Sequence, residues 1–402
     1  MEPMTDGPDW LGTLDEAEQK LWEAFSYGRQ VEYWHGETLR AEVIASLALG
    51  AVPGVPGRTA GVRIRGATVV GELDLRHGAV DVPLTMLHCT FTGAVRIEES
   101  VTKSIDLTGS HLLRICATGA HIRGSLDLKR AEITGGGDYV ALLANAATVT
   151  RGLYIGDGFR SAGTVQLTGI QVGGHLDLFG MAADSGPLQL YYAKAGTVRD
   201  GRTVHGRHVD GGVDSWPEDV QLDGFTYEAF DPYLPADERI KLLRRQPGYA
   251  AQPYEFMAAY YRELGHDQAA REILIEKEQV RHTGSRRLSR ITNVISSTTI
   301  GYGYLPRRAA LIALAVQAAA SVFYAFDPPT VIHPGDHVTF YPVLYAADLF
   351  VPIVHFGQTD AFQSHGLAAC VAYVLPYLGW ALGLAIVAGA SRTLSKGGGG
   401  IV

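Results

Sequence analysis

Between residues 58 and 228 the chain keeps returning to one short phrase. Gly71-Glu72-Leu73-Asp74-Leu75, Gly93-Ala94-Val95-Arg96-Ile97, Gly124-Ser125-Leu126-Asp127-Leu128 and Gly174-His175-Leu176-Asp177-Leu178 are versions of one unit, with shorter forms at Gly152-Leu153-Tyr154-Ile155 and Gly163-Thr164-Val165-Gln166-Leu167. The first aliphatic position falls at 73, 84, 95, 105 and 126, then at 153, 165, 176 and 188. Steps of 10 to 12 residues dominate, and two of them make a coil of about 22, a period that belongs to solenoids rather than to closed globular folds. Within each unit the order is apolar, polar, apolar. Strand alternation then turns the two aliphatic residues into one channel and the middle residue outward. Such an array buries each coil only against its neighbours and needs capped ends. The fold expected here is a right-handed parallel β-helix of roughly eight coils. A leucine-rich repeat has a similar period, but its longer signature and asparagine ladder are absent.

The ends supply caps. Residues 1–57 read as a helical N-cap, with one helix over 13–27 opened by a Thr13–Glu16 capping box and a second over 38–49. The second stops at Gly50 and the Pro53-Gly54-Val55-Pro56-Gly57 breaker. Residues 229–306 form a helical adaptor: two helices joined at Gly265-His266-Asp267, similar to a single tetratricopeptide unit, then a basic segment. One such pair cannot bury a core alone, so it must pack on the β-helix end or on a partner.

The C-terminal part lives in another solvent. Residues 309–326 and 366–390 carry no charged side chain, and the segment ends on Arg392 and Lys396. A hydrocarbon core needs roughly 20 apolar residues per helix, so 307–396 is expected to be a two-helix membrane domain followed by a tail, 397–402. The intervening 327–365 contains four Asp and four His but no Lys or Arg. Arg281, Arg286, Arg287, Arg290, Arg307 and Arg308 precede the first span with no acid among them. Basic residues stay cytoplasmic, which places both termini inside, the loop outside, and the arginines against anionic lipid. The first residues show no apolar signal-peptide core. The expectation is a multi-pass plasma-membrane protein with its N-terminal bulk in the cytoplasm.

The combination of Gly-x-Leu-Asp-Leu coils, Trp216-Pro217, Val220-Gln221-Leu222-Asp223-Gly224, Gln252-Pro253-Tyr254, Gly301-Tyr302-Gly303-Tyr304 and Gly379-Trp380 resembles, over nearly the whole chain, a family of bacterial membrane proteins. Its members are common in filamentous actinomycetes and often carry the name "membrane-associated oxidoreductase". The resemblance implies redox chemistry, but it brings no catalytic residues with it.

The residues themselves offer few chemical sites. Cys89, Cys116 and Cys370 lie far apart and form no C-x-x-C, which suits neither a disulfide framework nor a zinc or iron–sulfur site. Glycine runs such as Gly135-Gly136-Gly137 have no strand-to-helix context for a dinucleotide fingerprint. His333, His337, His355 and His365 could ligate haem but none lies within a span, so no cofactor and no metal is expected. Asp74, Asp106, Asp127 and Asp177 all take the outward position of their strands, as a carbohydrate-active β-helix would need. Arg96, Tyr154 and Gln166 take the same position elsewhere, so the ladder reads as a solvated face. Residues 58–228 hold 16 Lys and Arg against 19 Asp and Glu, a net of −3 that is too balanced to mimic DNA. The overall charge of −8 argues against nucleic acid as a partner.

Thr298-Thr299-Ile300-Gly301-Tyr302-Gly303 matches the lettering of a potassium-channel filter, but basic residues flank it on both sides. Residues 340–356, with Pro342, Pro352 and Asp348, are the other pore candidate, and an interfacial helix on the outer surface explains them more simply. The leading expectation is a membrane-anchored scaffold that works with a protein partner or with further copies of itself. A membrane oxidoreductase and an oligomeric channel-like protein using Gly301, Gly303 or Asp348 are the alternatives.

Overall fold

The computed structural model describes residues 9–34, 36–135, 140–182, 185–204, 207–282, 306–332, 338–351 and 355–395. The chain divides into two compact units, Met1–Leu274 and Ile275–Val402.

The first unit is a β-solenoid of about six turns. Its strands are two to seven residues long and pair in parallel between coils, so the aliphatic positions of the repeat stack in register. Val62, Leu84, Ile105, Leu126, Leu153, Leu176, Val198 and Phe230 are successive partners on one face. Leu73, Val95, Ile115, Leu142, Val165, Leu188 and Val220 are partners on another. None of these side chains is more than 6% exposed. About six turns stand where roughly eight coils were expected, and the coils are not of one length. Leu84 and Ile105 are 21 residues apart, but Leu126 and Leu153 are 27 apart. Val198 and Phe230 are 32 apart, and the stretch between them includes an antiparallel hairpin, Gly201–Val204 with Arg207–Gly211.

The 11-residue step has a structural meaning: it is half a coil, and each half ends at a corner with positive φ. One corner runs through His77, Glu99, Gly119, Ala146, Gly169, Tyr192 and Gly224; the other includes Gly66, His88, Gly109, Arg130, Asp157 and Gly180. Glycine is required at some of these by the residue one coil earlier. A Cβ on Gly109 would lie 2.5 Å from the His88 ring, and one on Gly224 would lie 2.4 Å from the ring of Tyr192.

At the N-terminal end, helix α1 (Glu16–Phe25) starts three residues later than the expected 13–27. Asp15 and Glu18, not Thr13 and Glu16, form the capping box, with Glu18 N–H donating to Asp15 at 2.8 Å and Asp15 N–H to Glu18 at 3.2 Å. Glu18 is fixed because Arg40 donates to both of its oxygens at 2.7 Å. Helix α2 is shorter than expected, Ala41–Ala48. Thr38–Arg40 is a strand paired with Thr68–Val70, because an open ladder edge competes with helix formation for these backbone groups.

At the other end, α3 (Ala236–Leu243) and α4 (Ala251–Glu263) close the solenoid, and α5 (Asp267–His282) follows the left-handed Gly265. The adaptor does pack on the β-helix end: Tyr227 donates to Met257 Sδ at 3.0 Å and Tyr260 accepts the Phe230 N–H at 3.3 Å. Beneath them, the fully buried Asp200 accepts from Trp216 Nε1 at 2.8 Å and from the Arg239 guanidinium, which stands 3.7 Å over the Phe230 ring.

The second unit contains α6 (Pro306–Phe326), α7 (Pro342–Phe350) and α8 (Gly366–Ser395). Ala320, Tyr324, Tyr345, Ala346, Phe350, Phe362, Ala368, Leu375 and Leu382 make their common core. The expectation of two spans is met only in part. Among the described residues one helix, Gly366–Leu384, is long and apolar enough to cross a membrane. The apolar part of α6, Ala310–Phe326, is a shorter 17 residues, about 25 Å at 1.5 Å per residue.

Candidate functional site

Among the described residues, two of the places singled out from the sequence bring polar side chains together, the outward Asp row of the solenoid and the packing around Asp348. The row is not one site. Asp106 and Asp127 are register partners, Tyr154 comes next and Asp177 after it, followed by Arg199. Asp74 stands on a different face, beside Arg96.

Each of the four does the same local work: it accepts the backbone N–H two residues on. The donors are Arg76 at 3.1 Å, Thr108 at 3.0 Å, Lys129 at 3.1 Å and Phe179 at 3.1 Å. This is an Asx turn, and it bends the backbone into the left-handed corner that follows. The Asp of Gly-x-Leu-Asp-Leu is therefore part of the coil's geometry. Side chains complete the neutralisation. Arg76 binds Asp74 at 2.6 Å and holds its carboxyl down to about 2. Lys129 binds Asp127 at 3.0 Å while resting 4.3 Å from the Tyr154 ring centre. Asp177 differs. Burial pushes its carboxyl up, and the Phe179 N–H and Arg199 only partly offset that. Each of the four carboxylates is thus tied to its own turn.

A hollow of about 570 Å³ beside the N-terminal helices is lined by Trp10, Glu42, Ser46, Leu49, Glu72 and Asp74, and its two solenoid acids are paired with Arg96 and Arg76. Cys89 and Cys116 are buried, and burial raises the Cys89 thiol to about 11. Among the described residues no group of three His, Cys, Asp or Glu side chains could hold a metal ion. His355 and His365 do not converge: His355 Nδ1 lies 4.0 Å from Asp348, and His365 Nδ1 lies 3.3 Å from Thr330.

The second place is built on α7. The sequence favours an interfacial helix at the outer surface for 340–356, but α7 packs against the middle of α6 and α8. Gln317, nine residues before the end of α6, donates to the Val343 carbonyl at 3.1 Å. Gly379, thirteen residues into α8, receives the Phe350 carbonyl so closely that a Cβ there would lie 1.7 Å from it. Both separations put α7 about 14 to 20 Å from the loop-side ends of its neighbours. Those ends are joined by Tyr324 donating to the Ala368 carbonyl at 3.0 Å and by the Thr330–Val331 and Phe362–Gln363 strands.

The chain then turns back beside α7. Asp348, buried on its inner side, accepts N–H groups from Phe356, from Gln358 at 2.7 Å and from Thr359 at 3.2 Å. Gln358 in turn accepts from the Tyr341 N–H at 3.1 Å. One carboxylate thus pins the returning backbone to the short helix.

Of the residues singled out from sequence, Asp348 is central here. Arg307 and Arg308 lie in the first turn of α6. Arg286, Arg287, Arg290, Gly301, Gly303, His333 and His337 lie outside the described residues. Gly379 and Gln317 were not anticipated as site residues. A glycine in the middle of an apolar helix is the available signal, since small residues let backbones approach within membranes. No protein-family model, curated protein or solved structure matches the chain.

Proposed function

We propose that this chain is a membrane-anchored β-solenoid scaffold, held at the inner face of the plasma membrane by α6 and α8 and acting by binding a protein partner along its rigid faces. The observation that carries the anchor is the state of the apolar helix. Gly366–Leu384 is 19 residues long, yet only 22% of it is buried, whereas the core helix of a soluble protein is mostly covered. Leu367, Tyr373, Tyr377 and Leu384 are each more than 60% exposed, and hydrocarbon is the solvent that suits them. Helix α6, 21 residues long and about 31 Å from end to end, crosses beside it. Arg307 and Arg308 fall in its first turn.

With Arg286, Arg287 and Arg290 they form a basic segment worth about 1 kcal/mol per residue near anionic lipid. The absence of Lys and Arg from 327–365 sets the orientation, with the solenoid inside. A ladder of side chains tied into their own turns suits recognition by surface. Alkaline carbonate extraction of membranes tests the anchor: the full chain should stay with the bilayer, and its release would overturn the reading. The redox activity implied by the family resemblance rests on that resemblance. A flavin or haem band that bleaches with dithionite in the purified protein would replace the scaffold reading with it.

A further inference from the structure

We infer that a hollow on the solenoid, across the strands Val101–Thr102, His121–Ile122 and Thr148–Val149, binds a phosphate monoester through Arg123, His121, Thr148 and Thr150. The site lies wholly on the first unit and does not depend on how the chain is anchored. The three strands are successive rungs of one face: Val101 is the register partner of His121, and His121 of Thr148. Strand alternation turns these three outward, and Arg123 and Thr150 outward again two residues on. Across them lies a hollow of about 290 Å³, lined by Val101, His121, Ile122, Arg123, Thr148 and Thr150.

The register supplies these polar groups without counter-charges. At other places on the solenoid a basic side chain meets an acid one coil away: His77 meets Glu99 at 3.1 Å, His111 meets Glu132 at 3.4 Å and Arg130 meets Asp157 at 3.3 Å. His121 has Val101 and Thr148 in those positions instead. Arg123 reaches Asp81, two rungs back, at 3.6 Å with both side chains mostly exposed, and water screens such a pair. Lys103 in the rung before Arg123 and Arg151 directly after Thr150 are exposed, and neither has an acid partner among the described residues. The Thr148 and Thr150 hydroxyls also have no hydrogen-bond partner among the described residues, whereas those of Thr92 and Thr134 on another face donate to the carbonyls of Val69 and Leu112. The acids of the neighbouring face do not fill the gap, because Asp106 and Asp127 are held by their own turns and Asp127 also by Lys129.

Three cations against one acid, with two unengaged hydroxyls, are the complement of a small anion of more than one charge. A phosphate monoester carries about −1.5 to −2 at neutral pH. Its tetrahedral oxygens accept paired N–H groups from a guanidinium and single bonds from hydroxyls and an imidazole. A carboxylate has one charge and two oxygens, which Arg123 alone would occupy. The hollow has room for about ten water molecules at roughly 30 Å³ each, more than a bare phosphate fills. Val101 gives the carbon side of the ester an apolar wall.

The test titrates the full chain calorimetrically in phosphate-free detergent buffer. The probes are glycerol 3-phosphate, freely dissolved dihexanoyl phosphatidic acid, and glycerol as the uncharged control. A phosphate ester should bind saturably and glycerol should not. Arg123→Gln should weaken that binding roughly ten-fold or more by removing a charge-assisted bond. Thr148→Val combined with Thr150→Val, which keeps the side-chain shape, should weaken it several-fold. Arg130→Gln, which removes a cation already tied to Asp157, should bind as the wild type does. Glycerol 3-phosphate binding as tightly as the lipid assigns the site to a soluble phosphate ester, and binding of phosphatidic acid alone assigns it to a lipid headgroup. The inference is overturned if neither ester binds in the millimolar range, if Arg123→Gln binds as tightly as the wild type, or if Arg130→Gln costs as much as Arg123→Gln.

Discussion

The corners of the solenoid show at single residues what the coil demands. Ala146 sits at φ +53°, exposed, at a position where other coils use glycine. The left-handed conformation costs an L residue roughly 1–2 kcal/mol, and glycine's greater freedom in the unfolded chain returns part of that. Ala146→Gly should therefore raise stability by up to about 1 kcal/mol, read from the urea midpoint of the full chain in detergent. Gly224→Ala should lower it by roughly 1–3 kcal/mol, since its Cβ would strike the Tyr192 ring. Asp177 gives a pH signature. Its folded carboxyl titrates above the ordinary 3.8 because it is buried, so the ionised form at neutral pH weakens the fold. Asp177→Asn should be the more stable protein at pH 7. The gap should close as pH falls from above the folded value through 3.8, below which both states of the wild type are protonated. A gap that widened on acidification would show that Arg199 outweighs burial. The outward direction of this Asp is legible in Leu-Asp-Leu. Its role in the turn needs the φ values of the corner, which no spacing supplies.

Among elements, the repeat was legible because each rung restates a local rule, aliphatic residues flanking an outward one at a fixed step. The N-terminal elements were less so, because partners far along the chain decide them. Arg40 selects Glu18 as the capping acid across 22 residues, and Thr68–Val70 draws Thr38–Arg40 out of the expected helix. The C-terminal closure is of the same kind. Asp200 and Arg239 are 39 residues apart in sequence, yet with Trp216 they form one buried network. Removing one partner of such a pair leaves an uncompensated buried charge, a loss of about 3–5 kcal/mol. Asp200→Ala should cost the first unit that much in urea denaturation. Asp200→Leu combined with Arg239→Met should cost distinctly less, because the surviving cation is gone. Equal losses in the single and double variants would mean that the network contributes by shape alone.

For the whole molecule, charge-free runs and the one-sided placement of arginine mark off the C-terminal part in the sequence, where one helix among the described residues, Gly366–Leu384, is long and apolar enough to cross a membrane. The sequence did not locate α7. Pro342 and Pro352 announce a break, but only the meetings of Val343 with Gln317 and of Phe350 with Gly379 fix how far along α6 and α8 the short helix lies. If hydrocarbon holds the protein through these helices, the solenoid should not need it. The aliphatic rows that begin at Val62 and Leu73 are met by α1 and α2, and the row that ends at Phe230 is met by Arg239 of α3 and Tyr260 of α4. A chain ending after His282 should therefore be recovered in the soluble fraction, with the far-ultraviolet spectrum of a β-rich protein and a cooperative urea transition. Retention of that shortened chain on membranes would transfer the attachment to the solenoid surface. Loss of its cooperative transition would mean that the coils depend on the C-terminal helices despite their own caps.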